Sequence, residues 1–256
     1  ASAEDAPKDV RMTNITDSSF TVSWITSKAL TGFINWGEGE NSLNKTELDE
    51  VGVASFTHTA TIDGLSPQKT YYFKINSNGS DYDNNGLAWK TTTGNQLPAI
   101  SSSLGLISGS VLTSSGNPAA NTLIYVTISG SSPLSTISSQ NGSWVISTSA
   151  ARSSSLDSYL QINNQTSLIE ISANAGPSGV STAQIYPQSA KPAPPLILGQ
   201  VHDFRNQPPS ETGETPRRST PIRKADLPPH QMFPSSFAGW PIARRDAAVL
   251  RLSQPP

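Results

Sequence analysis

The segment "DGLSPQKTYYFKI" (residues 63–75) decides the fold of the N-terminal part of the chain. In its second half, Tyr71, Phe73 and Ile75 fall on one face of an extended chain, and residues 72 and 74 fall on the other. This period of two is typical of a β-strand that is buried on one face only. The glycine and proline ahead of it are turn formers. The segment therefore predicts a turn that leads into a half-buried antiparallel strand.

The same alternation recurs along the chain, in "FTVSW" (20–24), "FINWG" (33–37) and "HTATI" (58–62). Only 35% of the residues are hydrophobic and 14% charged, with 18 glycines and 20 prolines. Such a composition favours many short strands joined by turns over long helices. The sequence predicts an all-β fold: two consecutive immunoglobulin-like antiparallel β-sandwiches with a disordered C-terminal tail.

Residues 7–94 carry a family resemblance. The runs "TNITDSSFTVSW", "DGLSPQKTYYFKI" and "WKTTTG" together resemble a fibronectin type III domain. Trp24 matches the buried tryptophan of that family's second strand, and Leu65, Pro67 and Tyr71 match its tyrosine corner. The resemblance implies that the Tyr71 hydroxyl bonds back to the backbone and fixes the crossing between the two sheets.

Residues 105–187 show a second pattern, which begins with "LISGSVLTSSGNPAANTLIYVTISG" (106–130). It resembles a carboxypeptidase regulatory-like domain, a small transthyretin-like sandwich. Gly116, Pro118, Gly142 and Trp144 carry the resemblance most clearly. Further matching positions are Gly109, Val111, Ile124, Val126, Asn141 and Ile146. That family often has Thr-Asp before its last turn, whereas this chain has two serines, which removes a capping carboxylate but keeps the topology.

The remaining segments are shorter and less regular. Residues 1–6 are either a mature N-terminus left by export or a linker, and 95–104 form a linker that leaves the sandwiches limited freedom. Residues 188–206 are a proline-rich linker or a short closing strand. Residues 207–256 are predicted to be a disordered basic tail.

Charge separates the tail from the body. Residues 1–204 hold nine basic and fifteen acidic residues, a net charge of −6, whereas residues 205–256 hold eight basic and four acidic, a net charge of +4. Two interpretations of the tail stay open. It is either the product of a reading-frame shift or assembly error or a genuine basic tail for an anionic surface or nucleic acid.

Several function classes lack their residues. With no cysteine, the chain forms no disulfide, thiolate zinc site or thiol nucleophile. The sequence has no nucleophile elbow, phosphate loop or HExxH pattern, and His58 is expected to be packed at a strand end. No apolar run approaches a membrane span. The prediction is that the chain is not an enzyme, has no cofactor and binds no nucleic acid.

The stretch "DYDNNG" (81–86) resembles the start of a calcium loop, since Asp81, Asp83 and Asn85 alternate before a glycine. Position twelve of such a loop would be Thr92 rather than an acidic residue, and strands rather than helices flank it. Asn-Gly is a strong hairpin signal. The sequence favours a turn between the strands predicted at 71–76 and about 87–92, with weak calcium binding as the alternative.

Two aromatic residues next to this turn, Tyr82 and Trp89, are candidates for stacking on a glycan. The alternative is that Trp89 covers the edge of its own core. The chain as a whole is interpreted as a bacterial cell-surface or secreted protein with a structural or adhesive role. Its expected partners are other surface proteins or a polysaccharide. The alternative function is a carbohydrate-binding accessory region of a secreted hydrolase.

Overall fold

The first sandwich is built from two sheets that pack over one aromatic core. The structure is a computed structural model of the chain that describes residues 2–100 and 105–211. The strands of this part are β1 (Lys8–Thr13), β2 (Phe20–Leu30), β3 (Gly32–Gly37), β4 (Lys45–Leu48), β5 (Ser55–Ile62), β6 (Thr70–Ser77), β7 (Ser80–Tyr82) and β8 (Trp89–Thr92). One sheet has the order β1-β2-β5, and the other has the order β4-β3-β6-β7 with β8 also paired to β6. This is the strand order of the fibronectin type III-like sandwich.

The residues of the turn at 63–71 hold the two sheets together. Trp24 and Phe73 are fully buried between the sheets, and Tyr71 is 2% exposed. The Tyr71 hydroxyl accepts a hydrogen bond from the backbone N–H of Ser66 at 2.8 Å. Leu65 packs into the same core. The geometry is that of a tyrosine corner, in which one hydroxyl fixes the path of the chain between sheets.

The second sandwich contains β9 (Leu106–Leu112), β10 (Leu123–Ile128), β11 (Leu134–Ile137), β12 (Ser143–Ser147), β13 (Ile169–Asn174), β14 (Val180–Ile185), β15 (Leu196–Ile197) and β16 (Val201–Asp203). Its sheets have the orders β11-β10-β13-β14-β16 and β12-β9-β15. β15 pairs in parallel with β9, and β16 pairs in parallel with β14. The all-β prediction is confirmed, although the second sandwich is mixed rather than purely antiparallel.

Two glycines of the second sandwich are required by close packing. A Cβ atom on Gly109 would lie 2.7 Å from the Trp144 ring, which is 3% exposed. Gly142 has a φ of +78°, and its Cβ would lie 2.5 Å from the carbonyl oxygen of Val111. Only glycine fits at such positions without displacing the backbone. These contacts explain why both residues belong to the pattern noted in the sequence.

The segment after Pro187 completes the second sandwich. Leu196 and Leu198 are buried in its core, together with Ala190 and Ala193. Of the two interpretations left open for residues 188–206, the structure has the closing strand. All described residues belong to one compact unit, and no helix among them has the length and apolarity needed to cross a bilayer. Most of the predicted tail, from residue 212 onward, lies outside the described residues.

Candidate functional site

The outer face of the β1-β2-β5 sheet is covered by the second sandwich. Its outward side chains are hydroxyl residues, and each is 6% exposed or less: Thr13, Thr21, Ser23, Thr57 and Thr59. Polar side chains are normally left in water on this face of a sandwich. Because they are buried here, each needs a hydrogen-bond partner. The interface between the sandwiches is therefore a polar surface that is held by specific hydrogen bonds.

Three hydroxyl groups make direct bonds across this interface. Ser23 Oγ lies 2.6 Å from the Tyr125 hydroxyl, and Thr13 Oγ1 lies 2.6 Å from Ser135 Oγ. The Thr57 hydroxyl donates to the carbonyl oxygen of Asn121 at 2.6 Å. The three contacts join β1, β2 and β5 to β10, β11 and the turn before β10. The interface thus spans the whole width of the first sheet.

Asn14 connects the two sandwiches through its backbone and its side chain. Its backbone N–H donates to the carbonyl oxygen of Pro133 at 3.0 Å, and its side-chain amide donates to the carbonyl oxygen of Ser135 at 3.1 Å. Its side-chain oxygen accepts from the Ser135 N–H at 2.9 Å. The residue has a φ of +53°, a conformation that asparagine tolerates better than most residues. This pairing imitates an added β-bridge.

Arg152 is the charged member of the interface. It is 3% exposed, and its Nη2 donates to Asp17 of the first sandwich at 2.9 Å. Its Nη1 donates to the carbonyl oxygens of Asn95, in the connection, and Leu156, in its own sandwich. A planar guanidinium suits such a junction because it offers several donors in fixed directions. One side chain therefore ties together both sandwiches and the segment between them.

The expected freedom between the sandwiches is replaced by these contacts. Because the hydroxyl residues alternate with core residues, their pattern alone indicates side chains that face water. Two features of the sequence belong to the interface. One is Tyr125 in a strand of apolar residues, and the other is Arg152, the single basic residue between Lys90 and Lys191. Neither feature identifies a partner by itself.

The Tyr125 hydroxyl gives a direct probe of the closed interface. Burial raises the pKa of Tyr125 to about 12 from its ordinary value of 10.0, and the Ser23 hydrogen bond and Arg11 offset this only in part. The unfolded chain loses this proton near pH 10, but the folded protein keeps it until about 12. The protonated Tyr125 therefore makes its full contribution to the free energy of unfolding below pH 10, and this contribution is lost as the pH rises towards 12.

We expect a spectrophotometric titration of tyrosinate absorbance to show this delayed ionisation. The difference between the wild-type protein and Tyr125→Phe should isolate one group that titrates near pH 12. A difference curve centred at the ordinary value would contradict a buried Tyr125.

The predicted calcium residues lie on two different structural features. Asp81 lies in β7 and accepts from the Asn76 amide at 2.8 Å. Asp83 accepts from the backbone N–H of Gly86 at 2.8 Å and lies 3.8 Å from the Lys74 ammonium. Asn85 occupies a turn with a φ of +55°. Turn capping and a neighbouring cation both compete with a metal ion for the same oxygen atoms, and calcium binding here stays a prediction.

The stretch 81–86 lies between β6 and β8, where the sequence predicts it, but its first two residues belong to β7. The reversal between β6 and β7 is made by Asn78 and Gly79, with φ values of +51° and +80°. Asn85 and Gly86 make a second tight turn, closed by the bridge between Asn84 and Leu87. Both pairs are Asn-Gly, and both adopt the positive φ that this dipeptide allows. Asn85 and Gly86 therefore form a turn, but the turn at Asn78 and Gly79 is the one that joins β6 to β7.

Tyr82 and Trp89 pair with neighbouring inward positions of β6. Tyr82 lies opposite Ile75, and Trp89 lies opposite Phe73. The Trp89 ring stacks on Phe73 with centroids 5.8 Å apart, and the Tyr82 hydroxyl donates to the carbonyl oxygen of Ser2 at 2.7 Å. Both rings are half-buried at the rim of the first core. Their faces are partly occupied within the protein, and glycan stacking on them stays a prediction.

A buried cluster of polar side chains lies under the loop before β5. His58 is fully buried, with Nδ1 2.7 Å from Asp49 Oδ2 and Nε2 2.9 Å from the Thr26 hydroxyl. The Thr26 hydroxyl also donates to the carbonyl oxygen of Lys28 at 2.7 Å. The Asp49 carboxylate accepts from the ring N–H at Nδ1. The ring also stacks on Trp24 with centroids 5.0 Å apart.

This cluster has the residue types of a hydrolytic triad but not its access. Thr26 and His58 are each at most 1% exposed, so no substrate reaches the hydroxyl. Within residues 2–100 and 105–211, no group of three or more histidine and carboxylate side chains is arranged to hold a metal ion. The cluster is best explained as a structural support for the loop.

Comparison with known proteins gives the first sandwich a family likeness. Residues 7–93 match the family described as "Purple acid Phosphatase, N-terminal domain". The match covers the fibronectin type III-like sandwich and ends before the second one. No match was found among curated proteins.

Solved structures give likenesses of low overall similarity. An fn3 domain of human contactin 1 is 15% identical over 38% of this chain and 83% of its own, with a TM-score of 0.29. The sensor domain of the anti-sigma factor RsgI4 of Pseudobacteroides cellulosolvens is 21% identical over 39% of this chain and 99% of its own, with a TM-score of 0.28. The chicken CNTN1 FN1–FN3 domains are 13% identical over 77% of this chain and 67% of their own, with a TM-score of 0.26.

Proposed function

We propose that this chain is a non-catalytic spacer and interaction region of an exported or cell-surface protein, in which the two sandwiches act as one rigid body. The observation that carries the proposal is the buried polar interface, with Arg152 bonded to Asp17 and Tyr125 bonded to Ser23. Buried hydrogen-bonded contacts fix orientation because breaking any one leaves an unsatisfied group. A fixed angle between domains suits a spacer that presents a distant surface.

The exported location rests on the domain type. Fibronectin type III-like domains occur in extracellular proteins. The second sandwich is proposed to be a carboxypeptidase regulatory-like domain, since Gly109 and Gly142 are required where that pattern has glycine. Neither domain type brings catalytic residues, which agrees with the sealed Asp49–His58 cluster.

We expect the two sandwiches of the full chain to tumble together. Backbone ¹⁵N relaxation should give one rotational correlation time for residues of both sandwiches, because the interface hydrogen bonds prevent independent motion. The matched variant Asn14→Ala removes the side-chain pair with Ser135 and should allow measurable independent motion. Two separate correlation times in the wild-type protein would refute the rigid body.

A second candidate function is an accessory region of a secreted hydrolase. The observation that favours it is the family match of residues 7–93, whose printed description is the N-terminal domain of a phosphatase. An accessory domain of this kind would position a catalytic domain or its substrate. The coding sequence next to this region decides between the two: a catalytic domain in the same reading frame supports the accessory role, and an anchor or repeat array supports the spacer.

A further inference from the structure

We propose that a groove between the two sandwiches binds a neutral oligosaccharide. The groove has a volume of about 770 Å³, within the usual range of small-molecule sites. One wall is β1 of the first sandwich, through Arg11, Met12 and Thr13, and the floor is the outer face of the β11-β10-β13-β14-β16 sheet. The site rests on the rigid pair proposed above, since both sandwiches line it.

The floor is a flat surface of two cross-strand rows. Pairing across the sheet places one row at Tyr125, Ser172, Thr182 and Val201. It places the second row at Thr127, Glu170, Gln184 and Asp203. Beyond Tyr125, the first row has small side chains at Ser172 and Thr182. They lie next to the longer Glu170 and Gln184 of the second row, which leaves a trough that runs across the strands.

The polar groups of the floor suit a ligand that both donates and accepts hydrogen bonds. The hydroxyls of Thr127, Ser172 and Thr182 have no hydrogen-bond partner among the residues that the structure describes, and none is fully buried. Beside them, the Gln184 amide donates to Glu170 at 3.3 Å, which leaves further lone pairs and a second amide proton for a ligand. Sugar hydroxyls match all of these groups.

The groove also offers apolar contacts of the size of a sugar C–H face. Val201 is 86% exposed at the far end of the first row and supplies an apolar contact there. Tyr125 is 5% exposed beneath the Arg11 guanidinium, 4.2 Å from its ring centroid, so it supports the floor from below. Alternating hydroxyl and apolar contacts fit a pyranose, whose edges are polar and whose faces carry C–H groups.

The charges of the groove disfavour anionic ligands. Arg11 pairs with Asp9 at 3.0 Å, and Arg205 pairs with Asp203 at 2.8 Å, so both cations are already neutralised. Glu170 has no ion-pair partner among the described residues, which leaves an excess of negative charge. Nucleic acids and acidic polymers require the opposite balance.

A peptide ligand is also disfavoured. Peptides commonly dock by adding a strand to a free sheet edge or by filling apolar pockets. The central floor strands β13 and β14 are each paired on both sides, so their backbone groups are not free. The edge strands at the groove are β1, whose pairing is irregular between Lys8 and Arg11, and β16, which has three residues, so neither offers a long regular edge. A neutral oligosaccharide is therefore the ligand class that the floor fits best.

The full chain is first tested for binding on a glycan array and a peptide array in parallel. Affinity electrophoresis then measures binding in gels that contain the neutral polysaccharides found on the glycan array. Glu170→Ala/Gln184→Ala should weaken binding about tenfold or more, since several hydrogen bonds are lost. Ser172→Trp should fill the trough and abolish glycan binding. The control Thr70→Ala/Thr92→Ala removes an exposed cross-strand pair of the first sandwich and should bind normally.

Three outcomes would overturn the groove: signals on peptides or acidic glycans alone, no binding on either array, or neutral-glycan binding that is lost in Trp89→Ala but kept in the groove variants. Thermal unfolding of each variant separates lost binding from lost folding. The relaxation experiment reports the rigid pair independently. A single correlation time without glycan binding would refute this site and leave the proposed spacer role intact.

Discussion

Replacing Arg152 with alanine is expected to lower the free energy of unfolding by about 2–3 kcal/mol. Breaking a buried ion pair by removing one partner costs about 3–5 kcal/mol, because the other charge stays without its counter-ion. Asp17 is 28% exposed, so water compensates part of that cost. The carbonyl oxygens of Asn95 and Leu156 also lose their donor. Urea unfolding followed by tryptophan fluorescence measures the change.

The same substitution should also change the shape of the unfolding curve. If Arg152 couples the sandwiches, the wild-type protein unfolds in one transition and Arg152→Ala separates it into two. A matched control is Arg205→Ala, which removes an exposed arginine that is paired with Asp203 through two bonds. Surface pairs contribute little, so the control should unfold like the wild-type protein. Equal effects of the two substitutions would contradict the role of Arg152.

Replacing Asp49 with alanine is expected to destabilise the first sandwich by about 3–5 kcal/mol, because three donors lose their acceptor at about 1–3 kcal/mol for each one that is buried. The side chains of Asp49 and His58 are 5% and 1% exposed, so the remaining ring would keep a buried donor without an acceptor. Asp49 also accepts from the backbone N–H groups of Val51 and Thr59. One carboxylate thus supports the loop, the strand and the histidine together.

The neighbouring variant Glu50→Ala is the control, since that side chain is exposed on the same loop. Asp49→Asn keeps an acceptor for one donor and should fall between the alanine variant and the wild-type protein. Guanidinium unfolding monitored by tryptophan fluorescence measures the change, and Trp24, which stacks on His58, contributes to that signal. If Asp49→Ala lowers the free energy of unfolding by less than about 1 kcal/mol, which is the range of surface pairs, the cluster does not stabilise the fold.

The sequence predicts the first sandwich well because its signals are local. Alternation around Tyr71 and the spacing from Leu65 to Tyr71 specify a strand, a turn and the bond from the hydroxyl to Ser66. In the second sandwich, Gly109 and Trp144 lie far apart in the sequence but are in close contact in the structure. Both positions belong to the carboxypeptidase regulatory-like pattern.

The interface could not be predicted in the same way. An outward hydroxyl such as Ser23 or Thr57 has the same place in the alternation whether water or another domain covers it. Burial of these groups depends on residues about a hundred positions away, such as Tyr125. The two Asn-Gly pairs show a related limit. Both are sound turn signals, and only the register of β6 with β7 selects Asn78 and Gly79 as the reversal.

The position of Asn14 has a consequence for the choice of expression host. Asn14-Ile15-Thr16 is a sequon for N-glycosylation, and the amide nitrogen that would carry the sugar is the atom that donates to Ser135. A glycan attached during synthesis would occupy the space that the second sandwich needs. Material from a glycosylating cell would then contain separated sandwiches, whereas a host that lacks this modification would yield the docked pair. Peptide mass analysis of Asn14 should therefore precede any structural or binding measurement on eukaryotic material.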